Sequence, residues 1–154
     1  MPVPEPIRRT TARVVPVNRD GEVLVLYGCD PLHPETPYWF TIGGATEPGE
    51  TLEETGAREL LEETGIAVAP QQLVGPYHRG RHRFSWNGMD IDNDSHFFAV
   101  RLDGVEVRFD GLDHLEAGSI WDARWWLPAE VPKDALAHPE LPEVLARAVV
   151  AVAS

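Results

Sequence analysis

A single cysteine, Cys29, leaves the chain without an internal disulfide, so packing alone must hold the fold. Basic residues are also scarce: 13 Lys and Arg stand against 25 Asp and Glu, a formal net charge of −12. That balance argues against a nucleic-acid polymer as partner, because a phosphate backbone calls for a basic face. A small anionic ligand is compatible with it only where metal ions carry the positive charge. No apolar run approaches the ~20 residues that a membrane-spanning helix needs. Residues 1–10 hold neither an apolar segment nor a small-residue cleavage pattern. The expectation is a cytoplasmic protein without a membrane role. At 154 residues the chain fits one domain, long enough to bury about two thirds of its unfolded surface.

Pro2, Pro4 and Pro6 mark residues 1–9 as a flexible N-terminal arm and leave 10–154 as the single domain. Thr11–Val17 and Glu22–Tyr27 read as strands joined by the turn Asn18–Gly21, and Tyr38–Ile42 as a short aromatic strand running into Gly43-Gly44. Pro48-Gly49 signals a turn. Thr51 with Glu54 then forms a capping-box signature and Gly65 a stop, which predicts a helix over Leu52–Thr64. Tyr77–Trp86 and Ile91–Leu102 form a second expected hairpin about Asn87-Gly88, Val105–Phe109 a further short strand, and Pro142–Ala153 a terminal helix. Strands on both sides of a central helix, with another helix at the end, place the chain in the α/β class, with helices covering a mixed sheet.

Chemistry concentrates between Gly44 and Ile66. The order is Gly44, five residues, Glu50, seven residues, then Arg58-Glu59-Leu60-Leu61-Glu62-Glu63-Thr64-Gly65-Ile66. At 100° per residue Glu59, Glu62 and Glu63 fall within an arc of about 100°, and Gly56, Ala57, Leu60 and Leu61 are expected on the opposite, buried side. Carboxylates so close repel one another, a cost that a hard divalent cation removes. Mg²⁺ takes oxygen ligands and suits an open acidic face.

This order resembles the Nudix box at every defined position. The resemblance implies an α/β/α sandwich with a mixed central sheet and hydrolysis of a phosphoanhydride bond in a nucleoside diphosphate derivative or nucleoside triphosphate. It implies Mg²⁺ as cofactor, with Mn²⁺ able to substitute, held by Glu59, Glu62, Glu63 and the carbonyl of Gly44. Arg58 would pair with Glu50 to orient the carboxylates. The general base in such proteins comes from the box, here Glu62 or Glu63, or from a loop beyond it, here Glu116, with Asp113 and Glu130 competing. The partner would be a small nucleotide, and the protein a monomer or homodimer. The alternative is a Nudix-fold module that binds a nucleotide as a sensor or regulator without turnover.

Arg79, Arg81 and Arg83 alternate along a predicted strand and so share a face. They are candidates for gripping substrate phosphates, or for ion pairs with Asp90, Asp92 and Asp94. Phe40 and Trp86 are candidates for stacking on a nucleobase, whereas most of the five tryptophans are expected in the core. His78, His82 and His96 read as packed or surface histidines, since a hard-metal phosphate site gives no reason to recruit them. Where the family's ADP-ribose enzymes carry a proline this chain has His82, and Arg83-Phe84 stand where its dinucleoside polyphosphate enzymes carry a tyrosine.

Overall fold

Strands buried on both faces read as near-continuous apolar runs, as Val14–Val17, Val23–Leu26 and Phe97–Val100 do here. In the computed structural model, which describes residues 5–153, β1 (Ile7–Val17) buries Ala12 and Val14 on one face and Val15 and Val17 on the other. β2 (Val23–Gly28) divides in the same way, Leu24 and Leu26 against Val23 and Val25. β6 (Met89–Arg101) sets Phe98 and Val100 against Ala99. Each face then needs a cover. α1 (Leu52–Thr64) brings Leu60 to the first core, and α3 (Leu141–Ala153) brings Leu141, Leu145 and Ala148 to the second. The result is the expected α/β/α sandwich.

Register determines where an opening forms. β1 runs parallel to β6 from Ile7↔Ile91 to Val17↔Arg101, and β5 (Val74–Trp86) lies antiparallel on the far edge of β6. β1 and β2 pair only at Val17↔Val23 and splay apart beyond it. β3 (Tyr38–Phe40) runs in along β2 and β4 (Ile42–Ala45) runs out along β1, so one bent segment fills the wedge and turns at Thr41. β7 (Ile120–Trp126) closes the other edge of β2. Gly43 and Gly44 therefore sit on β1, at the open end of the sheet, beneath α1.

Several expectations are corrected. β1 begins at Ile7, so 7–9 are strand rather than arm, while residues 1–4 lie outside the described residues. Val105–Phe109 is not a strand. Val105 and Val107 anchor on the α1 core, and the Arg108 N–H donates to the Thr64 carbonyl, serving the end of a helix instead of a sheet edge. Glu116, expected in a loop, lies in a short helix, α2 (His114–Ser119), which is capped by Asp113 and leads directly into β7. On α1, Leu61 is 49 % exposed, whereas Glu59 and Glu63 are 8 % and 2 % exposed. The acidic side thus faces inward next to Gly56 and Leu60. Gly56 makes this approach possible, because a Cβ there would lie 2.9 Å from Leu73 Cδ1 and 3.0 Å from Val14 Cγ2.

Candidate active site

α1 is anchored at both ends. Glu54 N donates to Thr51 Oγ1 at 3.1 Å and Thr51 N to Glu54 Oε1 at 2.9 Å, while Gly65 ends the helix in the left-handed region at φ 77°. Such a helix can hold carboxylates against repulsion. Glu63 Oε1 accepts the Gly43 N–H at 2.8 Å, and the carboxylate of Glu59 lies against Gly44, where a Cβ would overlap it. Arg58 ties the cluster together. Its Nε and Nη2 donate to the two oxygens of Glu50 at 2.8 and 3.0 Å, its Nη1 to Glu59 at 3.0 Å and Glu62 at 3.2 Å, and its Nη2 to the Ala45 carbonyl at 3.1 Å. A planar fork of this kind fixes several carboxylates at once.

Glu116, on α2, completes the group. Glu59, Glu63 and Glu116 each offer an oxygen, and these atoms lie within 4.8 Å of one another. Glu62 stands at the rim, joined through Arg58. The donors are all oxygen, as a hard divalent ion requires. The electrostatics show the cost of keeping the cluster bare. Burial, followed by the charge of Glu62, pushes the Glu59 carboxyl up to about 7. Burial and Glu59 raise Glu63 well above the usual carboxylate range, and burial also raises Glu116. Glu50 behaves in the opposite way: its hydrogen bonds from Arg58 pull it down to about 2.

The cluster opens into a cavity of about 910 Å³, within the usual size range of small-molecule sites. Phe40 and Trp86 line it, together with the 136–139 segment and the loop that begins at Cys29. Asp30 holds that loop to the β5–β6 hairpin, accepting from Leu32 N and Asn87 N through one oxygen at 3.0 and 2.9 Å. The floor carries a buried polar set in which Asn93 Nδ2 donates to Ser95 Oγ at 2.8 Å and Thr11 Oγ1 at 3.3 Å.

The family model described as NUDIX domain matches residues 7–148. The chain belongs to the NUDIX family. It is a Nudix hydrolase acting on phosphorus-containing acid anhydrides, and members of the family generally depend on divalent metal. It is 30 % identical over 117 residues to a putative 8-oxo-dGTP diphosphatase of Bacillus subtilis (strain 168), covering 76 % of this chain and 68 % of that one. It is 27 % identical over 141 residues to an RNA pyrophosphohydrolase of Erythrobacter litoralis (strain HTCC2594), covering 81 % and 79 %. Its fold matches the E. coli dihydroneopterin triphosphate pyrophosphohydrolase with a TM-score of 0.69 at 18 % identity, covering 94 % and 98 %. Among the described residues no helix is long and apolar enough to cross a membrane.

The Nudix site does not recruit every residue singled out in the sequence. Arg79, Arg81 and Arg83 pair with Asp94, Asp92 and Asp90 at 2.8, 3.0 and 2.8 Å. Cross-strand register puts them on the hairpin face opposite His82 and Asn93. The ion pairs of the sequence reading are therefore formed, while Arg81 and Arg83 also lie along the lining of the cavity. Asp113 reaches the cavity but uses its side chain to cap α2, and Glu130, in the turn Pro128–Glu130, is not among the lining residues. Sequence reasoning missed Arg13, whose Nη1 donates to the carbonyls of Thr41 and Gly43 at 3.2 and 3.3 Å and braces the bend beside Glu63. A lone arginine within a β-branched strand was its only signal. It also missed Thr11, Asn93 and Ser95, whose meeting depends on the β1–β6 register.

The shifted carboxyls predict how metal-free protein responds to pH. With its carboxyl raised from 4.5 to about 7, Glu59 binds more protons in the folded than in the unfolded state between those values, so its contribution to stability falls as pH rises from 4.5 to 7. Glu50, lowered to about 2, contributes stability above 4.5 that is lost as pH falls from 4.5 toward 2. In chelator-treated protein the Tm difference between Glu59→Gln and wild type should grow by about 5 °C from pH 4.5 to 7. A pH-independent difference would refute the buried charge.

Proposed function

We propose that this Nudix protein is a Mg²⁺-dependent pyrophosphohydrolase of a nucleoside triphosphate or nucleoside diphosphate derivative. The observation that carries the reading is the convergence of Glu59, Glu63 and Glu116 at the mouth of a nucleotide-sized cavity. Divalent ions bound there would supply charge neutralisation to the phosphate oxygens and a Lewis acid for the attacking water. Glu59 and Glu63 would hold them, with the carbonyl of Gly44 and the rim carboxylate of Glu62 assisting. Arg58, fixed by Glu50, keeps Glu59 and Glu62 in place. Glu116 takes the proton from the attacking water as the new P–O bond forms and the bridging P–O bond breaks. A triphosphate yields a nucleoside monophosphate and pyrophosphate. Phe40 and Trp86 stack on the base within the cavity. Similarity to proteins named as a triphosphate diphosphatase and an RNA pyrophosphohydrolase supports a triphosphate end as the reacting group.

A panel of normal and oxidised nucleoside triphosphates, nucleotide sugars and dinucleotides, assayed for released phosphate or pyrophosphate with Mg²⁺ and Mn²⁺, tests this reading. Turnover of at least one member is expected. Tight binding of a nucleotide with no turnover of any would instead establish the sensor. Arg58→Lys keeps the charge but loses the fork, and should weaken activating metal by about 10–100-fold, as loss of groups that orient metal ligands usually does. An unchanged Mg²⁺ activation curve would dismiss that role.

A further inference from the structure

Away from the carboxylate cluster, three histidines and a glutamate gather where β5 meets the segment leading into α3. The rings of His82 and His138 lie 4.6 Å apart at 19°, and Glu140 Oε2 stands 3.9 Å from His82 Nε2 and 3.8 Å from His78 Nε2. Gly80 makes room for this, since the two Nε2 atoms lie 3.1 and 3.6 Å from where its Cβ would be. Nε2 of His78, Nε2 of His82 and Nδ1 of His138 are shielded from solvent and have no hydrogen-bond partner among the described residues. Buried imidazole nitrogens left this way call for a ligand.

We propose that His82, His138 and Glu140 form a second metal site, for a borderline transition-metal dication such as Zn²⁺. One donor atom from each lies within 4.8 Å of the other two. Zinc bonds of about 2.0–2.1 Å separate tetrahedral ligands by roughly 3.3 Å, so the cluster closes on an ion by side-chain rotation that unstacks the two rings. Two imidazoles and a carboxylate suit zinc over magnesium. His78 belongs behind them. Arg147 can only donate, so the 3.3 Å contact from its Nη1 makes His78 Nδ1 the acceptor and leaves the proton on Nε2, facing Glu140. That proton suits His78 to orienting the carboxylate instead of binding the ion.

The site has two consequences for the fold. The segment before His138 pairs with β3, Trp39 N donating to Ala135 O and Ala137 N to Trp39 O at 2.7 and 2.9 Å. An ion on His138 and His82 would therefore fasten β3, the 136–139 segment and β5 around one cavity. His82 and His138 both line the cavity that also holds Glu59, Glu63 and Glu116. Three protein ligands leave a coordination position open, as in sites that bind an exogenous donor.

Zn²⁺ titration of chelator-treated full-length protein, in excess Mg²⁺ to occupy the carboxylate cluster, tests the site independently of hydrolysis. Wild type and Glu63→Gln should each bind one equivalent and gain thermal stability. His138→Gln and Glu140→Gln, both with native circular dichroism, should lose affinity by about a hundredfold or more. Co²⁺ should give visible d–d absorption in wild type and Glu63→Gln that is absent in His138→Gln. Zn²⁺ affinity unchanged in both His138→Gln and Glu140→Gln, or lost only in Glu63→Gln, would overturn the proposal.

Discussion

Glu63→Gln should fold as the wild type does and lose metal-dependent turnover by about a thousandfold or more, the scale of removing a group that stabilises a phosphoryl-transfer transition state. Glutamine keeps the shape and can still accept the Gly43 N–H through its oxygen, so the bend at Gly43 survives. It removes a carboxylate that is 2 % exposed and whose charge burial and Glu59 oppose. Without metal the variant should be at least as stable as wild type, because no buried charge has to be accommodated. Stability and activity thus move in opposite directions, which separates a metal-holding role from a structural one. The measurement is phosphate release at saturating Mg²⁺ beside a thermal melt in chelator. Activity within tenfold of wild type would remove Glu63 from the metal site.

Glu116→Gln should lower kcat by about a hundredfold, the usual size of a general-base effect, and leave KM for the nucleotide nearly unchanged. Burial raises the Glu116 carboxyl, which moves it toward the range where a base works at neutral pH. The pH profile decides between two roles. A base gives a rising limb of kcat that disappears in the variant, whereas a residue that only holds metal gives activity recoverable at high Mg²⁺. Asp113→Asn is the control, since Asp113 caps α2 and accepts the Glu116 N–H at 2.8 Å. It should cost stability and shift Glu116 without abolishing turnover. An Asp113→Asn defect as deep as that of Glu116→Gln, with the rising limb lost in both, would move the base to Asp113.

Local signals carried well into three dimensions where the physics is local. The capping box of Thr51 and Glu54, the Gly65 stop and the Asn87-Gly88 hairpin all appear in the structure because each depends on neighbours within a few residues. Apolar patterning identified β1, β2 and β6 through the runs Val14–Val17, Val23–Leu26 and Phe97–Val100, which are buried on both faces. It failed at Val105–Phe109, where alternating valines pack on the core without a strand partner, and at Leu61, where the helix turned its acidic side inward. Hydrophobic patterning assumes that glutamates face water. It has no means of anticipating a polar interior made by Gly43, Arg13 and an arginine fork.

By itself the sequence determined the family, the reaction class and the residues of the acidic helix, because a fixed spacing on a capped helix settles which side chains share a face. Tertiary structure alone decided which carboxylates meet. Glu116 lies 53 positions beyond Glu63, and it reaches Glu59 and Glu63 only because β1 and β2 splay and α2 folds over the opening. It likewise decided that Arg79, Arg81 and Arg83 face away from His82 and Asn93, and that His82, His138 and Glu140 converge. Such contacts depend on strand register and sheet curvature, which are set by the packing of the whole domain and leave no signature at any single position.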